Sequence, residues 1–257
     1  MNKPKVLIVD LETAPKIAYV WRFWKENISP KQVKQHGHIM SFSAKWLGGD
    51  EIFYEENRKE NDRRIVSKLC ELLSEADFAV AHNGQEFDFK QIRARALVHG
   101  LKPPAPFKVI DTYKIAKREF GFPSNSLEYL TGVLNCSVKK DGHAKFPGFL
   151  LWLECLKGND EAWAEMKDYN IKDVLALEDL YLKLRPWSTD HPNVAAYVEN
   201  QDRPRCPKCG SDHLHSRGYA FTTTGKYQRF QCQGCGGYSR TRFTEKSHKV
   251  HLVNAVN

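Results

Sequence analysis

Apolar residues come in short blocks over the first part of this chain and at helical spacing over the second. The run from Lys5 to Val9 reads as a β-strand that ends in acid, at Asp10 and Glu12. Strand patterns recur at Ile39 to Trp46 and Ile52 to Tyr54, which predicts a three-stranded meander. Between the first strand and Ile39, residues 14 to 38 carry the cluster Trp21-Arg-Phe-Trp24-Lys25, with the spacing of core aromatics. Ser29-Pro30 follows, reading as an N-cap and a proline at the first helical position.

Helical spacing begins at Asp62 to Ser74, where Ile65, Val66, Leu69, Leu72 and Leu73 fall on one face. A buried strand, Phe78 to Ala81, comes next, then a helix from Phe87 to Val98 that stops at Gly100. Lys102-Pro-Pro-Ala-Pro is a stiff connector to a strand at Phe107 to Ile110. Helices then follow at Asp111 to Phe120, after Ser124-Asn125, near Phe149 to Leu156 and from Asp160 to Leu184, where Pro186 closes the last. Sequential strands followed by alternation with helices predict a mixed α/β sheet covered on both faces.

Acids stand at particular places in this pattern. Asp10 and Glu12, two apart on a strand, lie on one pleat face. Asn83-Gly-Gln-Glu-Phe87-Asp88 follows a buried strand directly, and Tyr169-Asn-Ile-Lys-Asp173 sets a phenol and a carboxylate four apart on a helix. Each acid has an ordinary alternative, as a loop residue, a cap or a surface hydrogen-bond partner. Asp111 reads as an N-cap, with a contact near the acids as its other role, and His82 as a polar residue closing a strand. As a set, four carboxylates match the oxygen donors that hard Mg²⁺ or Mn²⁺ ions prefer and that two-metal phosphodiester hydrolysis requires.

In order and separation these runs resemble the DEDD exonuclease superfamily, in its tyrosine subgroup. That resemblance implies a ribonuclease-H-like fold and 3′-to-5′ exonuclease activity with two Mg²⁺ or Mn²⁺ ions. Asp10 would bridge both ions, Glu12 and Asp173 would complete the shell of one, and Asp88 would hold the other largely through water. Tyr169 would orient the attacking water, since a phenol is a poor general base at neutral pH. Asn83 becomes a candidate substrate contact. Trp21 to Lys25 could stack on a terminal base, and Lys139, Lys140, His143 and Lys145 form a loop that could hold a backbone or merely be solvated.

A second motif is independent of the first. Cys206-Pro-Lys-Cys209 and Cys232-Gln-Gly-Cys235 are two C-x-x-C knuckles with zinc-ribbon spacing, in which four thiolates close one structural Zn²⁺ site. Gly218-Tyr-Ala-Phe, Thr224-Gly225 and Tyr227-Gln-Arg-Phe230 read as a hairpin between them. Too few apolar residues are present to fold this part without metal, and a redox role for the cysteines is the lesser alternative. Cys70, Cys136 and Cys155 read as core thiols in helical contexts. The tail resembles zinc ribbons of transposase-associated and phage proteins, and nearly the whole chain resembles phage-encoded exonucleases that join the two modules.

Charge separates the modules further. Residues 203 to 249 hold ten of the 39 Lys and Arg but only two of the 31 Asp and Glu, so the rest of the chain is neutral and the formal +8 lies in the tail. Arg217, Arg229, Arg240 and Arg242 alternate there with aromatics, a pattern suited to phosphates and exposed bases. The organisation expected is a ribonuclease-H-like domain at 1–187, a linker at 188–202 and a zinc ribbon at 203–247. With no long apolar run and no signal segment, the chain is expected to be a cytoplasmic monomer, in host cytoplasm if phage-encoded. DNA is the expected substrate and a replication or recombination protein a possible partner. Two alternatives stay open: a non-catalytic nucleic-acid-binding protein, or a nuclease acting on RNA or cutting branched DNA.

Overall fold

Strand β1 (Val6–Thr13) sends Leu7, Val9 and Leu11 to one face and Ile8, Asp10 and Glu12 to the other, and both layers are built on that division. The computed structural model describes residues 4–138, 145–198 and 203–245. After β1 come two short strands, β2 (Ile17–Ala18) and β3 (Val33–Gln35), then β4 (Ile39–Trp46), β5 (Ile52–Glu56), α1 (Arg63–Glu75), β6 (Phe78–Ala81) and α2 (Asp88–Val98). The chain continues through β7 (Lys108–Asp111), α3 (Thr112–Glu119), α4 (Leu127–Val133), α5 (Leu150–Leu156) and α6 (Asp160–Leu184). It ends in β8 (Leu214–Phe221), β9 (Lys226–Cys232) and β10 (Tyr238–Arg240). Two compact units result, Lys5–Tyr181 and a second beginning at Leu182.

In the first unit five strands lie in the order β5-β4-β1-β6-β7. The pairs β5–β4 and β4–β1 are antiparallel, and β1–β6 and β6–β7 are parallel. This is the mixed α/β sheet expected from the sequence, a meander followed by two crossover strands. Leu7, Val9 and Leu11 pack with Phe42 and Ala44 beneath α1 and α2. On the opposite side Ala14 and Met40 pack with Leu151 and Cys155 of α5 and Ala162, Trp163 and Met166 of α6.

Strand β1 carries both acids, as expected, and continues to Thr13, paired with β4 from Leu7 onward. Two details differ from the sequence pattern. Ser29-Pro30 opens only a 3₁₀ turn, Pro30–Gln32, with Ser29 and Gln32 forming a reciprocal capping box. Cys70, Cys136 and Cys155 are all buried, but Cys136 lies beyond the end of α4, outside any helix. Among the described residues no helix is long and apolar enough to cross a membrane.

Asp62 precedes α1 but makes no side-chain cap. Its fully buried carboxylate instead takes hydrogen bonds from Arg95 Nη2 at 2.6 Å, Arg95 Nε at 2.8 Å and the Ile39 N–H at 2.8 Å, and lies 2.5 Å from His99 Nε2. Burial works to raise its pKa, and the bonds from Arg95, His99 and Ile39 outweigh that, so the net shift is downward. Asp62→Ala is expected to cost about 3–5 kcal/mol, since it strands a half-buried guanidinium. Thermal melting would show the loss. In the parent protein this contribution is present above the ordinary aspartate pKa and disappears as pH falls through the lower folded-state value.

The second unit is a three-stranded antiparallel sheet in the order β10-β9-β8, preceded by a 3₁₀ turn at Val194–Tyr197. Val194 donates its N–H to the Pro207 carbonyl at 2.7 Å, and Lys208 Nζ bonds the Pro186 carbonyl. The described part of the expected linker is thus tied to the first cysteine knuckle.

Candidate active site and cysteine cluster

Asp10 and Glu12 of β1 meet Asp173 of α6. One carboxylate oxygen from each lies within 4.8 Å of the other two. Oxygens on opposite sides of a single Mg²⁺ ion are about 4.2 Å apart, so these acids need only small adjustments to share an ion. An all-oxygen donor set is also the type that Mg²⁺ or Mn²⁺ takes.

Asn170, absent from the residues expected to act here, holds one of these acids. It is fully buried and donates from Nδ2 to Asp10 Oδ2 at 2.7 Å, while Ser41 Oγ donates to its Oδ1 at 3.2 Å. The serine bond fixes the amide so that its N–H side faces the carboxylate. The register of β1 with β4 shifts at Glu12/Thr13, and both Met40 and Ser41 reach the α6 side although they are consecutive. A bulge permits that arrangement. Farther along the same face, half-buried Glu178 of α6 pairs with buried Lys45 and accepts the Gly48 N–H at 2.8 Å.

Asp88 lies outside the three-acid cluster but beside it, where its carboxylate accepts the backbone N–H of Leu11, the residue between Asp10 and Glu12. The preceding loop explains this placement. Asn83 turns through φ +61°, a left-handed conformation that asparagine tolerates. Gly84 then passes so close that an added Cβ would stand 2.3 Å from the Ala81 Cβ and 3.1 Å from the Phe89 ring. Asp111 accepts the N–H groups of Asn83 at 2.9 Å and Gln85 at 3.2 Å while also capping α3 through Tyr113 and Lys114. One acid therefore serves as the expected N-cap and as a clamp on the loop that delivers Asp88.

Burial pushes the Asp88 carboxyl up to about 7, and the negative charge of Asp111 adds to the rise against hydrogen bonds from the backbone N–H groups of Asp88 and Leu11. Between pH 4 and 7 the folded state then holds a proton that the unfolded state has released. Stability of the protein loaded with zinc but free of Mg²⁺ and Mn²⁺ is expected to fall as pH rises through this window, and Asp88→Asn is expected to flatten that slope. Thermal melting at pH 5, 6, 7 and 8 in both proteins checks it.

Tyr169 sits one helical turn before Asp173, half-buried, with its ring edge-to-face on Trp152 at 6.1 Å and 77°. His82 closes β6 as a polar residue, with Nδ1 2.9 Å from Thr112 Oγ1 and Nε2 2.9 Å from the Asn125 carbonyl. Lys139, Lys140 and His143 lie outside the described residues, and Lys145 pairs with Glu161 at 2.5 Å.

In the second unit, Cys206, Cys209, Cys232 and Cys235 place four sulfurs within 4.8 Å of one another. Cys206 and Cys235 are 3.7 Å apart at Sγ, and Cys209 and Cys232 are 3.6 Å apart. Tetrahedral zinc with bonds of about 2.3 Å separates its sulfurs by about 3.8 Å, so the donors fit a closed structural site. Both knuckles have the same backbone. Gly210 and Gly236, at φ +76° and +81°, donate to the carbonyls of Cys206 and Cys232 at 2.9 Å, and those cysteines donate to Ser211 and Gly237 carbonyls at 2.8 and 2.9 Å. A glycine after each C-x-x-C thus relieves the left-handed turn.

Strand register places three of the tail's arginines, Arg217, Arg229 and Arg240, on one sheet face. Arg229 stands opposite Arg240, and Gln231 opposite Tyr238, while Arg217 Nε donates to Gln231 Oε1 at 3.1 Å. The Arg240 guanidinium lies 4.0 Å from the Tyr227 ring centroid, Arg229 lies 5.8 Å from that of Tyr238, and Arg242 lies 5.5 Å from that of Phe243. Like charges directly opposed across strands are destabilising until an anion joins them.

Residues 31–185 match the sequence model of the RNase_H_2 family of the RNase_H superfamily, more than half the chain, and the protein belongs to that superfamily. The match contains Asp88, Tyr169 and Asp173 and starts after Asp10 and Glu12. No curated protein matches the sequence. Among solved structures, the family B DNA polymerase from the hyperthermophilic archaeon Pyrobaculum calidifontis is similar to it with a TM-score of 0.53, at 14% identity over 72% of this chain. The likeness is one of fold, and the chain spans 25% of the polymerase's length.

Proposed function

We propose that this protein is a metal-dependent nuclease of the DEDD type that removes nucleotides from the 3′ ends of DNA. The observation that carries the reading is the convergence of Asp10, Glu12 and Asp173 from distant parts of the chain. Superfamily membership agrees with it. Two Mg²⁺ or Mn²⁺ ions, when bound, would supply hydroxide near neutral pH and counter-charge for the leaving oxygen. Asp10, oriented by Asn170, would serve both ions, with Glu12 and Asp173 completing one shell and Asp88 serving the other through water. Tyr169 would hold the attacking water by a hydrogen bond. The 3′-to-5′ direction follows from the DEDD resemblance, in which tyrosine occupies this helical position.

The tail would act as a zinc ribbon that grips the nucleic acid. Arg217, Arg229 and Arg240 on one face, with Arg242 nearby, form a surface whose self-repulsion phosphates would relieve. Asn83 is a further candidate contact at the site. Purified protein incubated with Mg²⁺ or Mn²⁺ and 5′-labelled single-stranded or duplex oligonucleotides is expected to give a ladder shortened from the 3′ end. A discrete internal cut would replace the exonuclease reading with an endonuclease, and no cut would leave a binding protein. RNA oligonucleotides in parallel would test the choice of DNA.

A further inference from the structure

Directly after the acid-bearing strand, residues 15 to 37 form an arm whose base is closed by the Ala14 N–H on the His38 carbonyl at 2.8 Å and by pairing of β2 with β3. The arm therefore grows from between β1 and β4, at the strand ends beside Glu12 and Ser41. Its tip reverses the expectation of a core cluster. Trp21, Phe23 and Trp24 are 91%, 93% and 83% exposed, and Tyr19 is 67% exposed. Their exposure is part of an ordered turn. Glu26 accepts the N–H groups of Trp21 at 2.9 Å and Arg22 at 2.7 Å, and Gln32 Nε2 bonds both the Glu26 carboxylate and the Tyr19 carbonyl at 3.0 Å.

We propose that this arm is a docking surface for single-stranded nucleic acid, with Trp21, Phe23 and Trp24 stacking on unpaired bases and Arg22 and Lys25 meeting the backbone next to them. The inference rests on the nuclease reading and extends it to a second point of contact. Charge selects the occupant. Lys16, Arg22, Lys25, Lys31 and Lys34 stand against Glu26 as the only acid of the arm, and that acid is bonded inside the turn. Aromatic faces interleaved with cations suit a polyanion with exposed π-faces, and stacking requires no base sequence. Seven residues from Ala14 to Trp21 limit the reach to about 25 Å, within a strand that also enters the acid cluster.

The test measures binding by the full-length protein carrying Asp10→Ala, so that the probe, a fluorescent single-stranded oligothymidylate, stays intact. Adding Trp21→Ala, Phe23→Ala and Trp24→Ala together is expected to weaken anisotropy-monitored affinity about tenfold or more, with an unchanged thermal midpoint. Trp21→Tyr with Trp24→Tyr, in place of the alanines, is expected to retain most of the affinity. Arg22→Ala with Lys25→Ala is expected to lower the slope of log affinity against log salt by about 1.4, the change for two lost phosphate contacts on a single strand. Affinity within twofold of the parent in the triple-alanine protein would overturn the proposal and leave the arm to a different partner. Because no cleavage is read, this outcome is distinct from failure of the nuclease reading, which the oligonucleotide ladder reports.

Discussion

Asp173→Asn is expected to reduce hydrolysis by a factor on the order of 10³ or more, since losing one shared carboxylate removes several kcal/mol of metal-derived transition-state stabilisation at about 1.4 kcal/mol per decade. Stability should move the other way or not at all. Three carboxylates within 4.8 Å repel one another in metal-free protein, and the amide removes one of those charges at equal volume. Asp10→Ala is expected to lose as much activity but also about 1 kcal/mol of stability, because the buried Asn170 amide loses its 2.7 Å carboxylate acceptor and keeps only the longer bond to the main-chain carbonyl of residue 10 at 3.4 Å. Paired rate and melting measurements separate the two effects. Parent-level turnover in either variant would contradict the assignment of these acids.

Cys232→Ser is expected to unfold the ribbon while the sheet domain still melts cooperatively. Within residues 203–245 the buried side chains are Cys206 and Cys232, so packing alone cannot hold this part together. Metal ligation, for which structural zinc sites show apparent binding free energies of about 10–16 kcal/mol in small peptides, is the remaining source. Metal analysis should fall from one zinc per chain to none. Duplex affinity should fall in a salt-dependent way, with the slope of log affinity against log salt lower by about 3.6 if the four arginines each meet a phosphate. Unchanged affinity would remove the ribbon from nucleic-acid binding.

The two burial faces of β1 and the meander were legible because Leu7, Val9 and Leu11 alternate with Ile8, Asp10 and Glu12. Three of the four expected acids, Asp10, Glu12 and Asp173, converge because α6 packs across the same face, while Asp88 lies outside their cluster. Asn170 was not recognised, although it sits three residues before Asp173 and so shares its helical face. Ser41, Ser43 and Lys45 carried a readable signal as well, polar at every second position of an otherwise apolar strand. What could not be read was the bulge at Glu12/Thr13, since a register shift leaves no local composition. For the aromatic arm, spacing resembled a core, and only the tertiary fold determines whether a neighbour covers it.

Manganese binding to the full-length, zinc-loaded protein tests the central claim most directly, by titration calorimetry followed with electron spin resonance of the bound ions. Two Mn²⁺ per chain, magnetically coupled as ions about 3.5–4 Å apart are, with the coupling lost in Asp173→Asn, is the predicted result. A chain that binds no Mn²⁺ at millimolar concentration, or binds it equally well without Asp173, would contradict the claim that these acids form a two-metal site.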